Sequence, residues 1–328
     1  MVVTDNLVGI DHHVEKMMGL LDVDFNDVCI VGIHGMGGLG KTTIAKVIYI
    51  KLSISLCFEC CCFLVDVQET SQQGLLNLQK QLISKIRKQK CCDDITNVDE
   101  GINTIKDIVY RKKVLIVLDD VDEKSQFYKF ARKRDWFGSG NRIIVTTRNK
   151  DVLYLLEVDR TYELPLMELG HSFQLFSKNA FRRDSCPKHY DILSKSVVSI
   201  AAGLPLALEI IGSFLFGKGK VVWEDTLMKL KEMPNDNVQK KLRISYEALD
   251  DDQQQIFLDV ACFFIGVDKR LPFYMWDDCK FYLRNAIDVF CLRSPVKIGD
   301  DNILRMHDQL RDIGQQIVRK ENFREPRA

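Results

Sequence analysis

Gly35, Gly37, Gly38, Gly40, Lys41, Thr42 and Thr43 stand in one stretch, GMGGLGKTT, that fits G-x-x-x-x-G-K-[ST] at every required position. Such residues hold phosphate. Glycines let backbone N–H groups turn inward on an anion, the Lys41 ammonium supplies a point charge for β- and γ-phosphates, and the Thr42 hydroxyl can ligate Mg²⁺. Two further clusters suit the same chemistry. Asp119 and Asp120 end the run VLIVLDD, where the first carboxylate suits the Mg²⁺ shell and the second suits positioning or deprotonating water. Thr146-Thr147-Arg148 ends another apolar run, and Arg148 is placed to face a γ-phosphate and report its presence. Plainer readings exist for both clusters: an acid that caps the next helix, and an exposed arginine at a helix start.

The elements around these residues are those that would aim them at one place. Val28, Ile30, Val31 and Ile33 read as a buried strand before the loop, and residues 43–51 as a helix whose positive end faces the phosphates. Strands are expected over 60–67, 114–120, 142–145 and 161–164, and helices over 75–86 and 102–110, with an exposed loop at 89–100. Apolar strands that stop at polar residues, alternating with helices, are the grammar of an α/β fold. Its parallel sheet binds ligand at the carboxyl edge. Ahead of the first strand, Val8-Gly9-Ile10 precedes a short helix carrying Val14, Met17, Met18 and Leu21. A loop there can bracket a base or serve as an ordinary entry turn.

Past Glu168 the period becomes helical, with five helices ending near Leu249, so an all-α unit is expected. Pro205, in Gly203-Leu204-Pro205-Leu206, suits the first position of a helix. The remainder starts at an acidic cap, Asp250 to Asp252, and continues with helices including 256–265. Short β pieces at 296–298 and 303–305 and a helix over 306–320 complete it. Helices with a terminal hairpin suggest a winged helix. Residues 256–265 carry Asp259 and no Lys or Arg, so this module is expected to pack and regulate, with no direct contact to nucleic acid.

Composition narrows the class. Over 328 residues, 46 Lys+Arg balance 46 Asp+Glu, which gives no electrostatic pull toward nucleic acid or anionic membrane. Asp5, Asp11 and Glu15 interrupt the N-terminal stretch, so no secretory signal is expected, and the chain is expected in the cytoplasm, with the nucleus as a second location. Residues 197–217 are apolar but hold Glu209 and the Gly-Leu-Pro break, so two packed helices are expected there and no membrane span. The eleven cysteines are an odd count, several inside apolar runs. Reduced thiols are expected, and the C-x-x-C at Cys57–Cys60 lacks a second ligand pair for zinc.

Six motifs in order carry a family likeness: 35–43, LDDVD at 118–122, GNRIIVTTR at 140–148, GLPLAL at 203–208, IFLDVACFF at 256–264, and Met306-His307-Asp308. Together they resemble the NB-ARC module of plant NLR disease-resistance proteins. LDDVD and IFLDVACFF are similar to the TIR-type branch, and MHDQLRDIGQQIVRKE is similar to flax rust-resistance proteins. The resemblance implies a P-loop nucleotide-binding domain at 1–165, a helical ARC1 domain at 166–249 and a winged-helix ARC2 domain at 250–328. It implies a switch in which ADP holds the domains closed and exchange for ATP opens them toward self-oligomerisation, with slow hydrolysis at most. It also implies that His307 touches the β-phosphate of ADP, that Pro205 packs near the adenine, and that the Val8-Gly9-Ile10 backbone brackets the base. Without the family, His307 reads as a buried histidine satisfied by its helix.

Gln68 and His13 stand where the family commonly carries arginine, which removes two cationic contacts. Neither a TIR domain nor leucine-rich repeats lie within the 328 residues, so a fragment or a truncated form of a longer protein is expected. Two competing functions share the loop: a turnover ATPase or kinase, and an interaction module that has lost its nucleotide.

Overall fold

The computed structural model describes residues 7–55, 57–87, 95–128, 134–231, 242–243, 246–247, 249–278, 296–298 and 302–324. They form two compact units. One runs from Gly9 to Pro165, and the other from Leu166 onward together with Leu7 and Val8.

In the first unit, α1 (Asp11–Leu21) leads to β1 (Cys29–His34) and α2 (Lys41–Ile54). Then follow β2 (Cys60–Leu64), α3 (Val67–Gln73), α4 (Leu75–Arg87), α5 (Val98–Arg111) and β3 (Val114–Leu118). The unit closes with α6 (Lys124–Tyr128), β4 (Arg142–Thr147), α7 (Lys150–Leu155) and β5 (Arg160–Glu163). All five strands are parallel, in the order β2-β3-β4-β1-β5. Every residue of β3 and β4 is buried, as a strand covered on both faces must be. Ile116, Leu118, Ile143 and Val145 pack on one face against Leu78, Leu82, Ile105 and Val152 of α4, α5 and α7, while α1 and α2 contact the sheet as well.

The differences from expectation have local causes. The second strand stops at Leu64, because Asp66 takes a left-handed conformation (φ 50°) and Val67 opens α3. That helix is short and polar, and α6 is five residues long, so neither shows a readable period. The expected loop at 89–100 is helical from Val98, where Asn97 accepts a hydrogen bond from Glu100 N (2.9 Å) as an N-cap. Residues 88–94 lie outside the described residues.

The second unit contains α8 (Leu169–Phe181), α9 (Asp191–Ala201), α10 (Pro205–Leu215) and α11 (Lys220–Lys231). Their core holds Trp223, 1% exposed, which stacks on Phe181 (5.3 Å between centroids) and meets Phe176 edge-on (5.9 Å). The expected helix at 238–249 falls mostly outside the described residues, as do residues 279–295.

From Asp250 the chain forms α12 (Asp251–Asp259), which passes into π turns over Val260–Phe264, then α13 (Arg270–Asp278). The antiparallel pair β6 (Val296–Ile298) and β7 (Leu304–Met306) and the helix α14 (Asp308–Arg324) complete it. The acidic start is a capping box, in which Asp250 accepts from Gln253 N and Gln253 returns a side-chain bond. Met306 ends a strand, so the last helix begins two residues later than its pattern suggests. The seven cysteines among the described residues are free thiols.

Candidate functional site

Sheet register decides which side chains meet. β1 pairs with β4, His34 opposite Thr147, and β4 pairs with β3, Leu118 opposite Val145. The residues that follow these strands, Gly35, Asp119 and Arg148, are therefore delivered to one edge.

There the loop between β1 and α2 closes on itself. Gly35, Gly38 and Gly40 all have positive φ (148°, 85° and 95°), and a Cβ on Gly35 would stand 2.9 Å from Leu39 and 3.2 Å from the Leu164 carbonyl. A side chain at Gly35 is excluded on both grounds. Gly37 completes the loop without positive φ. Lys41 is buried, and its ammonium donates to the carbonyls of Gly35 (2.7 Å) and Met36 (2.9 Å), spanning the loop it belongs to. Lys41, Thr42 and Thr43 form the first turn of α2, whose backbone N–H groups lack intrahelical acceptors.

Thr42 joins the loop to the carboxylates. Its hydroxyl donates to Asp119 Oδ1 (2.9 Å), which also accepts from the Thr146 hydroxyl (2.6 Å). Asp119 is fully buried, and its other oxygen, Oδ2, has no hydrogen-bond partner. Burial pushes its carboxyl up to about 6 against the two hydroxyl donors. A buried, half-satisfied carboxylate beside a phosphate-binding loop has the donor set that suits Mg²⁺. That ion takes one or two protein oxygens and completes its shell with water and phosphate. The residues present fit the ion.

Asp120, at φ 57°, points elsewhere: its carboxylate is bound by Arg148 through Nε (3.3 Å) and Nη2 (3.2 Å). The two residues expected to act separately, on water and on a γ-phosphate, are thus partners. Thr146 also accepts from Asp120 N (2.9 Å), so one hydroxyl fixes both acids. Thr146 was legible as a polar strand end, but its pairing needed the β3–β4 register. Behind the acids, Val67 N and Gln68 N donate to the carbonyls of Asp119 (2.8 Å) and Asp120 (3.2 Å), so α3 braces the same turn. His13, on α1, lies with Nδ1 2.6 Å from the Tyr162 hydroxyl of β5.

The remaining expected residues are placed as follows. Val8 is buried, Gly9 has φ 67°, and the Ile10 carbonyl accepts the first bond of α1 from Val14 N (3.0 Å). In the second unit Pro205 opens α10 at its first position. His307 is exposed, so it is not the buried histidine that the residues alone suggested. It precedes α14 and accepts from Gln309 N through Nδ1 (3.2 Å), while its carbonyl accepts from Leu310 N and Arg311 N.

Comparison with known proteins places this chain in a family. The NB-ARC domain profile matches residues 10–186, more than half of the chain. The chain belongs to the NB-ARC family. A second profile, that of the Roq1-like disease resistance protein winged-helix domain, matches residues 250–322 of this NB-ARC chain. Among curated relatives, the disease resistance protein RUN1 of Vitis rotundifolia is 41% identical over 98% of the chain and 24% of its own length. The TMV resistance protein N of Nicotiana glutinosa is 38% identical over 95% of the chain and 27% of its own length. The chain therefore spans about a quarter of these relatives. A STAND protein with a tetratricopeptide repeat sensor from Pyrococcus horikoshii shares the fold (TM-score 0.58, 12% identity, 96% of this chain and 43% of that one). The P-loop fold with a winged-helix segment, expected from the motifs, is the one found. The chain is thus a nucleotide-binding NB-ARC domain similar to those of plant disease-resistance proteins. No helix among the described residues is long and apolar enough to cross a membrane.

Proposed function

We propose that this NB-ARC module is a nucleotide-operated switch in a TIR-type plant immune receptor, holding ADP in a closed state and opening toward oligomers on exchange for ATP. The observation that carries this reading is the contact of Thr42 with Asp119, whose second oxygen is buried without a partner at the edge where Lys41 crosses its loop. Gly35, Gly37, Gly38, Gly40, Lys41, Thr42 and Thr43 hold the phosphates. Thr42 and Asp119 hold Mg²⁺, which, when bound, neutralises charge on the β- and γ-phosphates. Val8, Gly9, Ile10 and Pro205 serve the adenine, and His307 the β-phosphate, as family membership implies.

A switch suits the acids better than fast turnover does. Asp120 is the candidate base and Arg148 the candidate γ-phosphate sensor, yet the carboxylate is occupied by the guanidinium. Moving water or sensing a third phosphate requires that pair to part, which favours slow hydrolysis over a turnover ATPase or kinase. The proposed division is a nucleotide-binding domain (1–165), an ARC1 domain (166–249) and a winged-helix ARC2 domain (250–328). The break between the two compact units after Pro165 and the profile match starting at 250 support it. TIR and leucine-rich-repeat regions are the proposed neighbours in a full-length receptor, and the cytoplasm or nucleus the proposed location.

The test is to purify the chain, denature it and identify released nucleotide by chromatography. ADP at near one equivalent, lost in Lys41→Ala, is expected. A nucleotide-free chain that also binds no ADP by calorimetry would sink the reading in favour of a plain interaction module.

A further inference from the structure

His307 is the single residue between β7, which ends at Met306, and α14, which begins at Asp308. Both neighbours are fastened to one stretch of chain, residues 257–269. On the strand side, Gly266 N donates to Leu304 O (2.9 Å), Leu304 N to Val267 O (3.0 Å), and Lys269 N to Asn302 O (2.9 Å). On the helix side, α14 is seated where α12 widens into π turns. A Cβ built on Gly314 would lie 2.5 Å from Ala261 Cβ and 3.3 Å from Phe257 Cε1, so only glycine lets the two helices approach this closely. The next residue, Gln315, donates through Nε2 to the Ala261 carbonyl (3.3 Å). Turns of the i→i+5 type interrupt the regular ladder and recur at functional positions.

We propose that Gly314 and Gln315 are positioning residues for His307: their seat on Ala261 fixes where α14 stands on the 257–261 turns, and hence where the imidazole is presented. His307 lies seven residues before Gly314, about 10 Å along the helix axis, so a rigid α14 carries a displacement at the seat to the ring. A methyl at Gly314 must open the 2.5 Å approach to ordinary carbon contact of about 3.5–4 Å, a change as large as the tolerance of a hydrogen bond. The inference rests on the reading that His307 contacts the nucleotide.

The experiment follows two signals in the purified chain: the histidine ring resonances, with that of His307 identified by its loss in His307→Ala, and the release rate of a fluorescent ADP. Gly314→Ala is expected to move the His307 resonance before nucleotide is added. It is also expected to speed ADP release about tenfold, as loss of a charge-assisted hydrogen bond does. The double variant Gly314→Ala with His307→Ala should release no faster than His307→Ala alone, because the effects share one contact. Gln315→Ala, which leaves the packing intact, should move the same resonance by less and serves if Gly314→Ala does not fold. Ile317→Val, a cavity-forming change one turn along, should lower the melting temperature without moving the resonance. An unmoved His307 resonance in both seat variants, or effects that multiply in the double variant, overturns the proposal. Unchanged ADP release in His307→Ala overturns the nucleotide reading instead, and the resonance still decides the joint.

Discussion

Asp119 accepts two hydroxyl bonds on one oxygen, has none on the other, and is fully buried, which holds its carboxyl near 6 where the ordinary value is 3.8. The folded chain therefore binds this proton more tightly than the unfolded chain. Its contribution to stability is fully present below pH 3.8 and is lost as pH rises to about 6, after which it is flat. A rise of that size is equivalent to on the order of 3 kcal/mol. In Mg²⁺-free buffer, Asp119→Asn is expected to lack this decline. Above pH 6 it should melt at or above the parent, by up to about 3 kcal/mol, because an uncompensated buried charge is gone. The same variant should lose the gain in nucleotide affinity that Mg²⁺ gives the parent. Melts at pH 5 and 7.5, with and without Mg²⁺ and ADP, check both. The phosphate loop and Asp119 were legible in the sequence because their residue types and spacing are the chemistry. The Asp120–Arg148 pair and the two roles of Thr146 were not, since they follow from the register of β3 against β4 and from the left-handed turn at Asp120.

At the scale of elements, Arg142 shows what pattern cannot reach. It looked like the first residue of a strand, and it is 0% exposed. Its guanidinium donates to the carbonyls of Leu21, Asp22, Phe25, Asp27 and Asn141, closing the end of α1 and the turn into β1. Arg142→Ala would take that donor from the Leu21, Phe25 and Asp27 carbonyls, while Asp22 O and Asn141 O keep bonds from Phe25 N and Cys29 N, and is expected to cost about 3 kcal/mol or more, read as a lower urea midpoint. Arg142→Lys should recover only part, because one ammonium cannot reach acceptors arranged around a planar fork. In the second unit, Gly203 holds φ 73°, and a Cβ there would meet the Met167 carbonyl at 2.6 Å, while Met167 N donates to Gly203 O (2.8 Å). Gly203→Ala should therefore destabilise the start of α10 by about 1–3 kcal/mol in thermal melts. Long elements were readable from their apolar period. The π turns at 260–264 were not, because VACFF is apolar almost throughout and shows no change of period where the ladder changes.

At the scale of the molecule, the order of six motifs identified the family when no single spacing could, and the winged-helix profile matches the stretch where the acidic cap begins. Composition narrowed the partners but not the activity: with charges balanced at 46 each, nothing in it distinguishes a switch from a kinase. What separates them is whether bound nucleotide decides conformation. The direct measurement is small-angle scattering of the chain loaded with ADP and, separately, with a non-hydrolysable ATP analogue, with occupancy confirmed by chromatography. The switch account predicts a smaller radius of gyration with ADP than with the analogue, and no difference for Lys41→Ala. Superimposable curves from the two fully loaded parent samples would contradict it.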